Sequence, residues 1–225
     1  MADSLLQVED VGRTYHGGVR PVPALRGVSL EVDDGEFLAL TGPSGSGKTT
    51  LLNILGLLDR PDTGEYLFRG CATSALPERR RAVLRGSSIG FVFQAFNLLA
   101  DRTALENVEL GLRYRRMSAS RRRDEAAAAL TKVGLEDRLR HLPRELSGGE
   151  QQRVAIARAI VGGRTLLLCD EPTGNLDSAS AHQVLGVLTG LNDEGATVVL
   201  VTHNDEMARY ASRVLALRDG SLETT

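Results

Sequence analysis

The chain has 225 residues, 42% apolar and 25% charged, with a formal net charge of −2, so it can bury a core without disulfide staples. Balanced charge gives no whole-chain attraction to nucleic acid or anionic membrane, two scattered cysteines exclude a disulfide framework or metal cluster, and no apolar run approaches the roughly 18 residues of a membrane-spanning helix. Met1-Ala2-Asp3-Ser4 has neither the basic start nor the apolar stretch of a signal peptide, so a reduced, intracellular compartment is expected.

In chain order, short β-like runs come first: Leu5–Val8, Val28–Val32 and Glu36–Leu40, punctuated by turns such as Asp34-Gly35. The third run enters a Gly/Ser-rich loop, Gly42 to Gly47. A helix apolar nearly all round is then expected over Thr49–Leu58, stopped by Asp59-Arg60-Pro61. From about Asn97 to Gly162 the pattern is mostly helical, including an alanine-rich stretch, Asp124–Val133, and another helix over Ser147–Val161. Leu166–Cys169 reads as a strand covered on both faces, Asp177–Asn192 as a helix, and Ala196–Val201 as a second buried strand. Strands alternating with helices predict a parallel sheet and an α/β fold. The sequence shows no repeat or long linker, and because it ends soon after Val214–Gly220 no appended regulatory domain is expected.

Three constellations carry chemistry. Gly42-Pro43-Ser44-Gly45-Ser46-Gly47-Lys48-Thr49 fits the phosphate-loop spacing between a strand and a helix. Glycines let the backbone curl around an anion, the helix N-terminus adds partial positive charge, Lys48 brings a point charge to the phosphates, and the Thr49 hydroxyl can bind Mg²⁺. Lysine occurs elsewhere only at Lys132, in a chain whose other basic residues are arginine. Second, Asp170-Glu171-Pro172 follows a buried strand, at the carboxyl end where ligands gather in open α/β sheets. Asp170 is suited to Mg²⁺ and Glu171 to orienting or deprotonating water. Third, Leu146-Ser147-Gly148-Gly149-Glu150 contains a capping box, Ser147 with Glu150. Its paired glycines cost helix stability and, with the serine hydroxyl, offer a second anion site.

Together these residues resemble the ATP-binding cassette (ABC) ATPases, the nucleotide-binding subunits of ABC transporters, over essentially the whole chain in family order. Leu146–Glu150 is similar to the family's signature motif. The resemblance implies that Tyr15 stacks on adenine, that Gly42, Pro43, Ser44, Gly45, Ser46, Gly47, Lys48, Thr49 and Thr50 bind the nucleotide, and that Gln94 touches Mg²⁺ and the attacking water. It further implies that Thr49, Gln94 and Asp170 serve the metal, that Glu171 is the catalytic glutamate, that Asn175-Leu176-Asp177 is the D-loop, and that His203 meets the γ-phosphate. Singly, Tyr15 also reads as a half-buried strand residue, Gln94 as a polar loop residue and His203 as a surface histidine; order and spacing favour the functional reading.

The stretches Gln94–Leu99, Thr103–Val108 and Asp170–Ser178 narrow the resemblance to the lipoprotein-release, macrolide-export and cell-division group (LolD/MacB/FtsE type). Ala100 replaces a usual proline and Asn204 a common acid. The implied fold is an α/β P-loop NTPase cassette forming one domain over 1–225, with a RecA-like core, an antiparallel β subdomain and a helical subdomain at approximately 95–160. The implied activity is Mg²⁺-dependent ATP hydrolysis in a homodimer that clasps two ATP molecules, with Ser147, Gly148 and Gly149 supplied across the dimer. Such a chain drives a separate transmembrane permease from the cytoplasmic face of the membrane, without nucleic acid; the alternative is a cell-division type that signals across the membrane without moving cargo. Six arginines between Arg113 and Arg123 read first as a solvated helical face and second as a patch facing lipid headgroups, and Cys169 as an inert core thiol.

Overall fold

A computed structural model describes residues 4–16 and 20–223; Met1 to Asp3, read above as part of a leaderless start, lie outside the described residues. In chain order the elements are β1 (Ser4–Tyr15), β2 (Val22–Asp33), β3 (Phe37–Thr41), α1 (Lys48–Leu55), β4 (Thr63–Phe68), β5 (Cys71–Ala72), α2 (Glu78–Ser88) and β6 (Ile89–Phe93). There follow α3 (Ala104–Glu109), α4 (Ala119–Lys132), α5 (Gly148–Ile160), β7 (Leu166–Asp170), α6 (Ser178–Asp193), β8 (Thr197–Val201), α7 (Asp205–Ala208), β9 (Arg213–Arg218) and β10 (Ser221–Leu222). Among the described residues, no helix is long and apolar enough to cross a membrane. The chain forms two compact units, 1–85 with 197–225, and 86–196.

The first unit holds an antiparallel sheet in the order β2-β1-β4-β5 and a second set of strands in the order β10-β9-β3-β8. β3 runs parallel to both β8 (Leu40↔Val201) and β9 (Leu40↔Leu215). Every β8 residue and four of the five in β3 are buried, so neither shows the alternation of a half-solvated strand. β1 and β2 are longer than the short runs predicted from sequence, and β4, β5 and β9 were not anticipated. Helix α1 buries Leu51, Leu52, Ile54 and Leu55 but ends three residues before the predicted Leu58. Leu57 adopts a φ of 58°, which no helix continues. Its carbonyl accepts from Arg81 Nη2 at 3.0 Å and Arg85 Nη1 at 2.8 Å.

The second unit pairs β6 with β7 in parallel, Ile89↔Leu166 through Phe93↔Asp170, and packs α5 against β6, α3, α4 and α6. The predicted helical region beginning at Asn97 is interrupted. Asn97 has a φ of 51°, and the buried Asn107 supplies the partners that a helix would otherwise give residues 99–103. Its Oδ1 accepts from Leu99 N at 2.8 Å, while its Nδ2 donates to the carbonyls of Leu99 and Arg102 at 3.1 and 3.0 Å. The alanine-rich stretch lies in α4, which begins earlier, at the Ser118 cap, and closes at Gly134 with a φ of 70°. Helix α6 begins at Ser178, one residue after the predicted start at Asp177, which caps it.

At its far end α5 is secured by a partly buried cation. Arg164 Nη1 donates to the carbonyls of Arg158 (2.9 Å) and Ala159 (3.2 Å), Nη2 to Gly111 (2.6 Å) and Nε to Gly86 (3.2 Å). A guanidinium there also answers the negative end of the helix dipole. Burial, with Arg115 and Arg158 nearby, pulls Arg164 down to about 10, so it stays charged at neutral pH. Arg113, Arg115 and Arg116 precede α4, and Arg121 and Arg122 pair with Glu125 (3.0 Å) and Glu109 (4.0 Å). The six arginines therefore do not share one helical face. Lys132 pairs with Glu194 at 2.5 Å.

Candidate active site

In the first unit, the loop after β3 and the turn after β8 leave the same edge, because the two strands run parallel and in register up to Leu40↔Val201. The loop Gly42–Gly47 is tight. A Cβ at Gly42 would lie 2.1 Å from the Leu217 carbonyl oxygen, and one at Gly47, where φ is 106°, would lie 2.4 Å from that of Ala24; only glycine fits either place. Lys48 is 8% exposed, and its ammonium donates to the carbonyls of Gly42 (2.7 Å) and Pro43 (2.8 Å). Those bonds keep the charge inside the loop. Ser46 Oγ is buried with no hydrogen-bond partner among the described residues. Thr49 and Thr50 lie in the first turn of α1.

Tyr15 ends β1 at 39% exposure. Its hydroxyl donates to Asp59 Oδ2 at 2.9 Å, and the Arg13 guanidinium lies 4.9 Å from the ring centroid. Arg13 also pairs with Asp59 (3.0 Å) and Asp62, which accepts from Thr14 N at 2.7 Å. The Thr14 N–H, aided by Arg13 against a small desolvation penalty, keeps the Asp62 carboxyl below the usual range. The sequence reading missed this bracket and used Asp59 only as a helix stop. Arg13, two residues before Tyr15 and so on the same strand face, was the available signal. His203 follows β8, and Asn204, noted above as a departure, caps α7 by accepting from Glu206 N at 2.9 Å and Met207 N at 3.4 Å.

In the second unit, Gln94 follows β6 and Asp170 ends β7; Phe93 and Asp170 are register partners, so both side chains leave one edge. Gln94 Nε2 donates to Asn175 Oδ1 at 3.1 Å, and Asn175 Nδ2 returns a bond to the Gln94 carbonyl at 3.2 Å. Glu171 has a φ of 48°, unusual for a residue with a Cβ. Its carbonyl accepts from Gly174 N at 3.0 Å. Cys169 is fully buried, and burial with the charge of Asp170 pushes its thiol up, in keeping with an inert core thiol. Ser147 caps α5 in the predicted box: its Oγ accepts from Glu150 N at 3.2 Å, and Glu150 Oε2 accepts from Ser147 N at 2.8 Å. The hydroxyl proton is not used by the cap. Packing gives the two glycines a second reason. A Cβ at Gly148 would lie 3.2 Å from Leu176 Cδ2, and one at Gly149 would lie 3.0 Å from the Ser180 side chain.

The model of the ABC transporter family matches residues 25–174, two thirds of the chain. The chain belongs to the ABC transporter family. A macrolide export ATP-binding/permease protein, MacB, of Chlorobium luteolum is 54% identical over 96% of this cassette, which spans 32% of that protein. The chain thus covers about a third of its MacB relatives. An uncharacterized ABC transporter ATP-binding protein of Methanocaldococcus jannaschii is 47% identical, with 97% of each chain covered. A solved dimeric bacterial ABC transporter cassette superposes with a TM-score of 0.88 at 44% identity, covering 97% of both chains. The fold is therefore the RecA-like P-loop ABC cassette, with its antiparallel β sheet as expected, and the family's activity is ATP binding and hydrolysis.

The residues of this ABC cassette fit nucleotide and Mg²⁺. The cradle at Gly42 and Gly47 excludes side chains, and Ser46 Oγ, with no hydrogen-bond partner among the described residues, lies within it. Thr49 in the first unit, and Gln94 and Asp170 in the second, each carry a side-chain oxygen. Among the described residues, no three His, Cys, Asp or Glu side chains could hold a metal by themselves. A few hard oxygens completed by substrate phosphates and water is the arrangement Mg²⁺ takes.

Proposed function

We propose that this cassette hydrolyses ATP as a homodimer and passes the resulting motion to a permease carried on separate polypeptide. The observation that carries the reading is that one chain has two glycine-built helix N-termini suited to anions, α1 behind Gly42–Gly47 and α5 behind Ser147. One triphosphate needs only the first from its own chain; two chains facing each other use both. Solved relatives support this: one cassette is described as dimeric, and another structure as a dimeric post-hydrolysis state bound to ADP and Pi.

In this reading Tyr15 stacks on the adenine, steadied by Arg13 and Asp59. Gly42 to Thr50 bind the phosphates through backbone N–H groups, and Lys48 turns its ammonium from the loop carbonyls to the β- and γ-phosphates. Thr49, Gln94 and Asp170 hold Mg²⁺, which when bound neutralises phosphate charge. Glu171 orients the attacking water and takes its proton, while His203 and Gln94 fix the γ-phosphate and the water. Ser147 offers its spare hydroxyl proton, and Gly148 and Gly149 their N–H groups, to the neighbour's nucleotide. The MacB relatives combine cassette and permease in one longer protein, and the partner proposed here is a permease of that kind. The chain then works at the cytoplasmic face of the membrane through that partner.

Glu171→Gln tests the reading. The variant should bind ATP normally, lose turnover by about 100-fold or more, and accumulate as an ATP-bound dimer in light scattering. Wild-type turnover would remove Glu171 as the proton acceptor.

A further inference from the structure

Helix α5 carries a buried polar side chain for which the roles above have no use. Gln152 is 0% exposed, the fifth residue of the helix, in a sequence that otherwise buries Val154, Ala155, Ile156 and Ala157. Its Nε2 donates to the Phe93 carbonyl at 3.1 Å and to the Pro172 carbonyl at 2.7 Å. Phe93 is the residue before Gln94, and Pro172 the residue after Glu171. Both neighbours are acceptors, so the amide is turned with its nitrogen toward them. Its Oε1 is left buried without a hydrogen-bond partner among the described residues. A buried acceptor left unpaired costs stability; an apolar side chain would avoid that cost but could not tie the two carbonyls.

The two backbone points are the ones whose placement matters. Glu171 has a left-handed backbone, a conformation that persists only where its surroundings over-determine it. Gly174 N fixes the Glu171 carbonyl, Gln152 fixes the next carbonyl, and the Gln94–Asn175 pair zips the two loops together beyond it. Ser147, with Gly148 and Gly149, heads the same helix about 1.4 turns before Gln152.

We propose that Gln152 is a positioning residue for hydrolysis. Its amide ties the ends of β6 and β7, and so Gln94 and Glu171, to the helix whose N-terminus meets the neighbour's nucleotide. Docking of Ser147 on that nucleotide is then transmitted along α5 to the carboxylate that handles the water. The inference rests on the proposed function and deepens it.

Gln152→Met keeps the length and volume but removes both donors; Gln152→Glu keeps the shape and sets an oxygen against two carbonyl oxygens. Steady-state ATPase of the 225-residue chain with Mg-ATP should show kcat falling at least tenfold in both variants, with KM for ATP within about twofold of wild type. ATP-binding stoichiometry on the same preparations should remain that of wild type. A kcat within twofold of wild type in both variants would overturn the inference. So would a stoichiometry that falls in proportion to kcat, because the side chain would then only support folding. Wild-type turnover in Glu171→Gln would overturn the underlying function instead, so the two failures are distinguishable.

Discussion

Glu150 shows how one carboxylate couples the cap of α5 to pH. The Ser147 N–H it accepts holds it below the usual carboxylate range, with Arg138 at 3.0 Å adding to the effect against partial burial. A carboxyl depressed in the folded state contributes stability above its unfolded pKa, about 4.3, and that contribution disappears as pH falls through the lower, folded value. Glu150→Gln keeps the capping geometry but cannot titrate. Calorimetry from pH 7 to pH 3 should show the variant slightly less stable at neutral pH and with a shallower fall in Tm below about pH 4. At this scale the sequence was most legible where a residue's chemistry is local. The Ser147–Glu150 box follows from spacing alone. The Arg13–Tyr15–Asp59 bracket was not legible, since Asp59 approaches from 44 residues away.

Elements were legible in proportion to their burial. β7 and β8, continuous apolar runs, and α6, with its helical spacing, lie within a residue or so of their predicted limits. The region from Asn97 to Gly162 was not, because helical composition does not reveal where a side chain such as Asn107 replaces helix bonds with its own. The end of α1 was equally hidden, since the arginines that hold the Leu57 carbonyl come from α2. Arg164 belongs to the same class: a guanidinium whose donors go to carbonyls from three separate stretches of chain. Arg164→Ala leaves those carbonyls without their donor and opens a cavity. Urea unfolding should show a loss of about 3 kcal/mol, with the m-value unchanged.

For the whole molecule, one rule holds within each unit: in the first, β3 and β8 deliver the phosphate loop and His203 just beyond their carboxyl ends, and in the second, β6 and β7 deliver Gln94 and Asp170 in the same way. Motif order alone makes those strand ends readable in the sequence. The dimer belongs to the same scale, and Ser147→Arg addresses it. A long cation at the α5 cap should abolish ATP-driven dimerisation of the Glu171→Gln chain in light scattering while leaving ATP affinity of the monomer within about threefold; an intact dimer would contradict an α5 end that completes the neighbour's site.

The scarcity of lysine has a practical corollary. Of the two lysine side chains, Lys48 is sequestered at 8% exposure beneath its loop, whereas Lys132 stands 54% exposed on α4 beside Glu194. Acylating reagents thus meet a single accessible lysine amine, on the last residue of α4, a natural address for a dye or a tether.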